Sequence, residues 1–271
     1  MTSFGLNAYK GFLETPPLWV NEQFGLQQFK MPPIDVETIR RQPIPNNIRL
    51  GHKMEHIFKQ CLASQQHYKF LYSNIKIKKE KITLGEIDFL VENTHTNQIV
   101  HVELTYKFYI IDTDITEPIH QLMGPNKRDL FLTKMEKIKN NQLPLIFSEE
   151  GTSALHTLGI ERSKIIQEVC YKAQLFRPYG DSKITISPLN QECITGFWIR
   201  FQKFNAPNFK HHSYYIPKKD EWVLQPCKDA SWRTHDEVLL EVTIHILKEN
   251  APMVWMLKTD GSYEKFFVVW W

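Results

Sequence analysis

The sequence predicts an α/β protein, because segments with helical and with strand periodicity follow one another along residues 45–150. Residues 49–62 carry apolar side chains at helical spacing. Residues 85–91 and 101–108 instead alternate apolar and polar side chains, as half-buried strands do, and residues 72–82 precede them with a similar pattern. Helices and strands that intermingle in this way indicate a sheet covered by helices.

The helix predicted at residues 49–62 places one carboxylate at the edge of its buried face. Its apolar stripe consists of Leu50, Met54, Ile57, Phe58, Cys61 and Leu62. On a helical wheel Glu55 falls at the margin of this stripe, next to Leu62, and away from the polar face. A side chain there can reach past the core toward a sheet, although an ordinary boundary glutamate occupies the same position.

The strands at residues 85–91 and 101–108 are predicted to form a hairpin that brings two carboxylates together. If it closes symmetrically about His95 and Thr96, the numbers of facing residues sum to 191, and Asp88 lies opposite Glu103. Facing Cβ atoms in antiparallel strands are about 4.5–5.5 Å apart. Carboxylates that close repel each other unless a cation or a shared proton lies between them. The pair therefore indicates a divalent-metal site, and the alternative is a hairpin with a solvated polar face.

The other predicted elements complete three regions of the chain. Residues 1–44 form a helix at 3–14 and a proline-rich arm, residues 45–150 form the core, and residues 151–271 form an α+β region. Within the core, a helix at 126–141 and a short strand at 143–147 follow the hairpin. The last region is predicted to contain a helix at 163–177, strands at 183–187, 194–202 and 214–217, a helix after a capping box at Thr234–Glu237, and a hairpin at 253–271.

The order helix, three strands, helix, strand resembles the PD-(D/E)XK nuclease superfamily, whose restriction-endonuclease-like fold has an α-β-β-β-α-β core. The segments LGHKMEHIF, TLGEIDFL, HVELTYKFY and GPNKRDLFLTKMEKIKNNQLPL are similar to a bacterial branch of it, a domain-of-unknown-function family (number eighteen-fifty-three). The similarity is good over about residues 45–150 and loose beyond them. It implies a mixed sheet in the core and an α+β C-terminal extension.

The resemblance also implies roles for individual residues. Asp88 and Glu103 would be ligands of Mg²⁺ or Mn²⁺, Glu55 would position water or a second ion, and Lys107 would be the catalytic lysine. Glu86 is an additional candidate ligand, or else a partner of Lys107, or a plain salt bridge.

The spacing of the lysine departs from the usual triplet, in which it follows the acid by two residues. Thr105 occupies that position, and Lys107 lies on the same strand face about 6.6–6.8 Å beyond Glu103. The implied function is metal-dependent hydrolysis of phosphodiester bonds, in DNA. The alternatives are a catalytically inactive nuclease fold that binds nucleic acid or a protein partner, and a scaffold in which the hairpin only packs.

Composition limits the class of protein without naming a substrate. The chain has 271 residues, 42% of them hydrophobic, and a net charge of +3, which permits a nucleic-acid partner. We expect no membrane span and no signal peptide, a cytoplasmic location and reduced cysteines. Lys127, Arg128 and Lys134 are predicted to contact nucleic acid, as are the lysines that precede the hairpin, unless they only form solvated faces.

Overall fold

The computed structural model describes residues 5–226 and 230–271, and these contain eleven strands and eight α-helices. The strands are β1 Glu22–Gln23, β2 Leu26–Gln27, β3 Tyr68–Lys79, β4 Ile82–Asn93, β5 Ile99–Ile111, β6 Leu122–Met123, β7 Ile165–Pro178, β8 Ile194–Arg200, β9 Ser213–Tyr215, β10 Met253–Leu257 and β11 Tyr263–Val269. The helices are α1 Leu6–Glu14, α2 Leu50–Ala63, α3 Pro118–Gln121, α4 Phe131–Lys137, α5 Leu143–Leu145, α6 Glu149–Thr157, α7 Phe201–Phe204 and α8 His235–Leu247. A π-helical turn, Ile138–Gln142, joins α4 to α5.

The chain forms two compact units, each assembled from separate segments. The central unit consists of Pro17–Tyr106 and Thr133–Lys172. The terminal unit consists of Met1–Pro16, Lys107–Leu132 and Ala173–Trp271. The strands β5 and β7 each begin in the central unit and end in the terminal unit.

In the central unit the strands lie in the order β3-β4-β5-β7, and β3 pairs with β4 and β4 with β5 in antiparallel fashion. The facing pairs of β4 and β5 run from Phe89↔Val102 to Glu92↔Ile99, so the predicted register is confirmed. The amphipathic helix is confirmed as α2, and Phe58 on its apolar stripe packs on Phe89 with ring centroids 4.8 Å apart. A second core contains Ile77, Ile87, Leu90, Ile146, Leu155 and Ile160.

Gly85 shows how closely β4 is approached in this core. A Cβ atom at this position would lie 2.7 Å from Cδ2 of Leu145, far inside van der Waals contact. A residue without a side chain therefore lets α5 pack directly on the strand.

The terminal unit contains a mixed sheet in which the end of β7 is followed by β8, β11, β10 and β9. The pairs β7–β8 and β8–β11 are parallel, whereas β11–β10 and β10–β9 are antiparallel. The predicted C-terminal hairpin is confirmed as β10–β11, and the predicted capping box at Thr234 and Glu237 begins α8. Val238 and Val242 of this helix pack on Phe266 of the sheet.

Three predicted elements are wrong. Residues 143–147 do not form a strand, because the apolar run has no periodicity that separates strand from helix, and Pro144 fits a first helical turn, here that of α5. Residues 163–177 are not a helix but mostly β7, whose residues 169–176 are all buried; burial of both faces removes the alternation that marks a strand. Residues 183–187 form no strand, although Ile184 and Ile186 are buried.

The α/β class is confirmed, and so are the helix and the three strands predicted for the beginning of the core. Within the described residues, no helix is both long and apolar enough to span a bilayer. Cys61, Cys170 and Cys193 are buried and form no disulfide among the described residues, while Cys227 lies outside those residues.

Candidate active site

Asp88 lies at a gap in the hydrogen-bonding ladders of the central unit. The β4–β5 ladder ends at Phe89↔Val102, one pair before Asp88 would face Glu103. On the other side, the β3–β4 register pairs the residues before and after Asp88 but not Asp88 itself. Its carboxylate instead accepts the Leu104 N–H at Oδ2, with a distance of 3.0 Å. The side chain thus replaces a strand carbonyl at the point where β4 and β5 separate.

Two further carboxylates and one lysine act on Asp88. Burial raises the pKa of Asp88 to about 8, and the negative charge of Glu103 contributes the next largest increase. Glu55 raises it further, while the Leu104 N–H and the charge of Lys134 lower it. The charges of Glu103, Glu55 and Lys134 therefore all act on Asp88, and these four side chains are called the acidic cluster below.

Glu103 is held by a chain of buried polar side chains. Its side chain is 1% exposed, with Oε1 3.1 Å from His101 Nε2 and Oε2 2.5 Å from Gln142 Nε2. Gln167 Nε2 is 2.9 Å from His101 Nδ1 and also donates to the Leu143 carbonyl, at 2.7 Å. Because this amide nitrogen must donate to the carbonyl, Nδ1 of His101 accepts and its Nε2–H donates to Glu103.

Lys134 reaches the same network from α4. Its ammonium donates to Gln142 Oε1 at 2.8 Å, while the other end of the Gln142 amide donates to Glu103. Gln142 is the last residue of the π-helical turn, a feature that is frequent at functional sites. A single amide therefore fixes both a carboxylate and a cation of the cluster.

Glu55 is fixed by two polar neighbours. His52 Nδ1 lies 3.2 Å from each of its carboxylate oxygens, and Asn74 Nδ2 donates to Oε2 at 3.2 Å. Asn74 is the β3 residue across from Asp88, and it has a left-handed backbone with φ of 56°. Asparagine tolerates this conformation better than most residues, so the strand can bend where the carboxylates meet.

Lys107 and Glu86 have other surroundings. Lys107 belongs to the terminal unit and forms an ion pair with Asp129 of the same unit. Glu86 faces Lys76 across the β3–β4 ladder and is not among the groups that shift the pKa of Asp88.

The three residues predicted to contact nucleic acid have different surroundings. The Lys127 ammonium lies 3.8 Å from the centroid of a Trp271 ring, as a cation–π contact requires. Arg128 is exposed, and Lys134 belongs to the acidic cluster described above.

Comparison with known proteins gives one result. A family model described as "Domain of unknown function (DUF1853)" matches residues 24–269, which is most of the chain. The chain belongs to this family. The DUF1853 match includes the whole cluster from His52 to Gln167. Searches of curated proteins and of solved structures found no match.

The side chains that hold the carboxylates are not among the residues predicted from the sequence. His101 offered a signal, because it precedes Glu103 by two residues and so lies on the same strand face. His52, Asn74, Gln142 and Gln167 offered none, since amide and imidazole groups at these spacings are common in helices and strands. Only the packed structure brings them within hydrogen-bond distance.

The donor chemistry of the cluster fits a magnesium ion. Within residues 5–226 and 230–271, no group of three or more His, Cys, Asp or Glu side chains is arranged to hold a metal. Mg²⁺, however, is commonly held by one or two carboxylates together with waters and substrate phosphates. Asp88 Oδ1 has no hydrogen-bond partner among the described residues, and Glu103 provides the second carboxylate. The repulsion that raises the pKa of Asp88 is the interaction that a divalent cation would reverse.

Proposed function

We propose that this DUF1853 protein is a metal-dependent nuclease of the PD-(D/E)XK type that hydrolyses phosphodiester bonds in DNA. One observation carries the proposal. Asp88 is unpaired in both ladders, and burial and the negative charge of Glu103 raise its pKa while the charge of Lys134 lowers it. Two carboxylates on neighbouring strands repel each other and destabilise the fold. Such an arrangement is typical of sites where a bound ligand offsets the repulsion.

The residues divide the chemistry among them. Asp88 and Glu103 would hold Mg²⁺ or Mn²⁺, and the chemistry supplied there would be a more acidic water and compensation of charge on the scissile phosphate. Glu55, fixed by His52 and Asn74, orients the attacking water through its carboxylate. Lys134 supplies a positive charge where negative charge develops on the phosphate.

We assign the cationic role to Lys134 because its charge acts on Asp88 and its ammonium is fixed by Gln142. The prediction that Lys107 is catalytic stays a prediction, and the partnership of Lys107 with Asp129 favours a structural role instead. Substitution of each lysine separates the two assignments.

A second candidate function is that of an inactive nuclease fold that binds nucleic acid or a protein partner. It is favoured by the state of Glu103, since one of its oxygens accepts from His101 and the other from Gln142. A carboxylate held in this way by protein donors has fewer lone pairs left for a cation.

The test is titration calorimetry with Mg²⁺ and with Mn²⁺, followed by cleavage of mixed DNA substrates by the same samples. We compare the wild type with Asp88→Asn, and with Glu92→Gln as a control on the same strand, where the Glu92 side chain forms an ion pair with exposed Lys69. We expect binding and cutting in the wild type and the control, and neither in Asp88→Asn. If none of the three proteins binds metal or cuts DNA, the inactive nuclease fold becomes the better assignment.

A further inference from the structure

The end of the β3–β4 hairpin extends beyond the acidic cluster as an arm of residues 76–86. The pairs Lys76↔Glu86 and Lys79↔Ile82 mark its base and its tip, and two residues form the turn. β3 is the outermost strand in the order of the central unit, so the arm has no strand beyond it among the described residues. The arm runs directly into Asp88, which follows its last residue by two positions.

The arm carries more positive than negative charge, and three of its lysines form no ion pair within the described residues. It contains four lysines against two glutamates. Lys79 forms an ion pair with Glu150 at 3.0 Å. The other three, Lys76, Lys78 and Lys81, are exposed, and no ion pair joins them to the described part of the chain. Lysines on an edge strand are also common simply because they prevent edge-to-edge aggregation, so their presence alone does not identify a ligand.

Two aliphatic side chains at the tip of the arm point to a ligand. Ile82 is 68% exposed and Leu84 is 46% exposed, both within a few residues of the turn. Both residues lie on β4 beyond the end of its ladder with β5, so this segment is also a sheet edge. Protection of such an edge would favour polar residues, because exposed aliphatic groups promote the pairing that the lysines oppose. Proteins that bind the minor groove of duplex DNA combine both features: cations contact phosphates, and apolar side chains enter between base steps.

We propose that the arm binds duplex DNA, with Lys76, Lys78 and Lys81 on the phosphate backbone and Ile82 and Leu84 in the groove. This proposal rests on the proposed function, because it names double-stranded DNA as the substrate that the arm would bring to Asp88. Binding by the arm requires no metal, so it is measured separately from cutting.

The experiment measures binding of the full-length protein to a fluorescent DNA duplex by anisotropy, in EDTA and over a range of salt concentrations. For K76Q/K78Q/K81Q we expect the negative slope of log K against log salt to become smaller in magnitude by about 2.7, since each phosphate contact contributes about −0.9 to it. The control K69Q/K79Q removes two lysines of the same strand that are engaged by Glu92 and Glu150, and its slope should equal that of the wild type.

A second variant tests the apolar tip. I82S/L84S should weaken duplex binding about tenfold, with an unchanged salt slope and unchanged affinity for a single strand of the same sequence, because a wedge needs stacked base pairs. Equal slopes for K76Q/K78Q/K81Q and its control would overturn the proposal. So would self-association of the wild type that I82S/L84S abolishes with no loss of DNA affinity.

The two proposals fail in different ways. If the protein cuts DNA with metal but its arm variants bind DNA like the wild type, the nuclease proposal stands and the proposal for the arm is rejected. If the arm binds DNA but no metal-dependent cutting is found, the proposal for the arm stands and the nuclease proposal is rejected. Melting temperatures of all variants, measured by circular dichroism, check that the exposed substitutions leave the fold intact.

Discussion

At the scale of single residues, the main feature is a carboxylate kept in an environment that opposes its ionised form. Burial and the charge of Glu103 both raise the pKa of Asp88, and the Leu104 N–H and Lys134 only partly offset them. An arrangement that disfavours the ionised carboxylate reduces stability at neutral pH. Residues under such strain cluster at functional sites, where ligand binding compensates for the lost stability.

The first prediction concerns stability in the absence of metal. The pKa of Asp88 is about 8 in the folded protein, against about 3.9 for an unfolded aspartate. Between these values the folded state keeps a proton that the unfolded state has lost, so this group lowers the stability as pH rises. The loss is at most about 1.4 kcal/mol per pH unit. Urea denaturation in EDTA from pH 5 to pH 8 should show a flatter profile for Asp88→Asn, and parallel profiles would contradict the raised pKa.

The second prediction separates the two lysines. On the proposed function, Lys134→Met should reduce the single-turnover rate constant by about 10²-fold or more, because it removes a fixed charge from the proposed phosphate site. Lys107→Met should leave this rate constant within a few-fold and lower stability by about 0–1 kcal/mol, since it breaks a partly exposed ion pair. The measurement is single-turnover cleavage of a DNA duplex with saturating Mn²⁺. The opposite ranking would restore the catalytic role to Lys107.

At the scale of secondary-structure elements, the π-helical turn Ile138–Gln142 positions the cluster. It lies between α4, which carries Lys134, and α5, whose Leu143 carbonyl accepts from Gln167. The wider turn changes the direction of the side chains that follow it compared with an uninterrupted α-helix. Gln142 can thereby bond to a lysine of the preceding helix and to a glutamate of a strand.

The third prediction tests this turn. Gln142→Leu removes the donor to Glu103 and the acceptor for Lys134, and leaves a buried carboxylate without one of its partners. The expected loss of stability is about 1–3 kcal/mol. Asn141→Ala, at the exposed neighbouring position, is the control and should change stability by less than about 0.5 kcal/mol. Equal urea midpoints for the two variants would show that the amide does not support the cluster.

The hairpin could be predicted from the sequence because its information is local. Strand alternation and a short polar turn determine which residues face each other, and the structure has that register. The strand β7 could not be predicted, because its buried residues 169–176 depend on neighbours from distant segments. The same holds for the acidic cluster: Asp88 and Glu103 share a hairpin, whereas the donors from Gln142 and Gln167 come from elements remote in sequence.

At the scale of the whole molecule, the chain passes from one compact unit to the other four times. The boundaries fall after Pro16, Tyr106, Leu132 and Lys172. A contiguous core at residues 45–150 stays a prediction, and such a fragment lacks the part of the central unit that contains β7. Gln167, which fixes His101, would be lost with it.

The fourth prediction follows from this division. A fragment of residues 45–150 should show no cooperative thermal unfolding, because it lacks a strand and the core residues that the strand provides. A fragment of residues 17–172 contains all of the central unit and should unfold cooperatively. Circular dichroism melting of both fragments beside the full chain is the measurement. A sharp transition in the shorter fragment alone would show that the core is contiguous.

The close approach of Leu145 to Gly85 has a consequence for the recognition of distant relatives. The Gly-Glu-Ile-Asp segment joins Asp88, the proposed metal ligand, to a glycine whose lack of a side chain leaves room for Leu145. In relatives with a smaller residue at position 145, selection against a side chain at position 85 should relax, so the two positions should covary. A profile that weights the glycine as heavily as the aspartate would reject such relatives for a reason unrelated to catalysis.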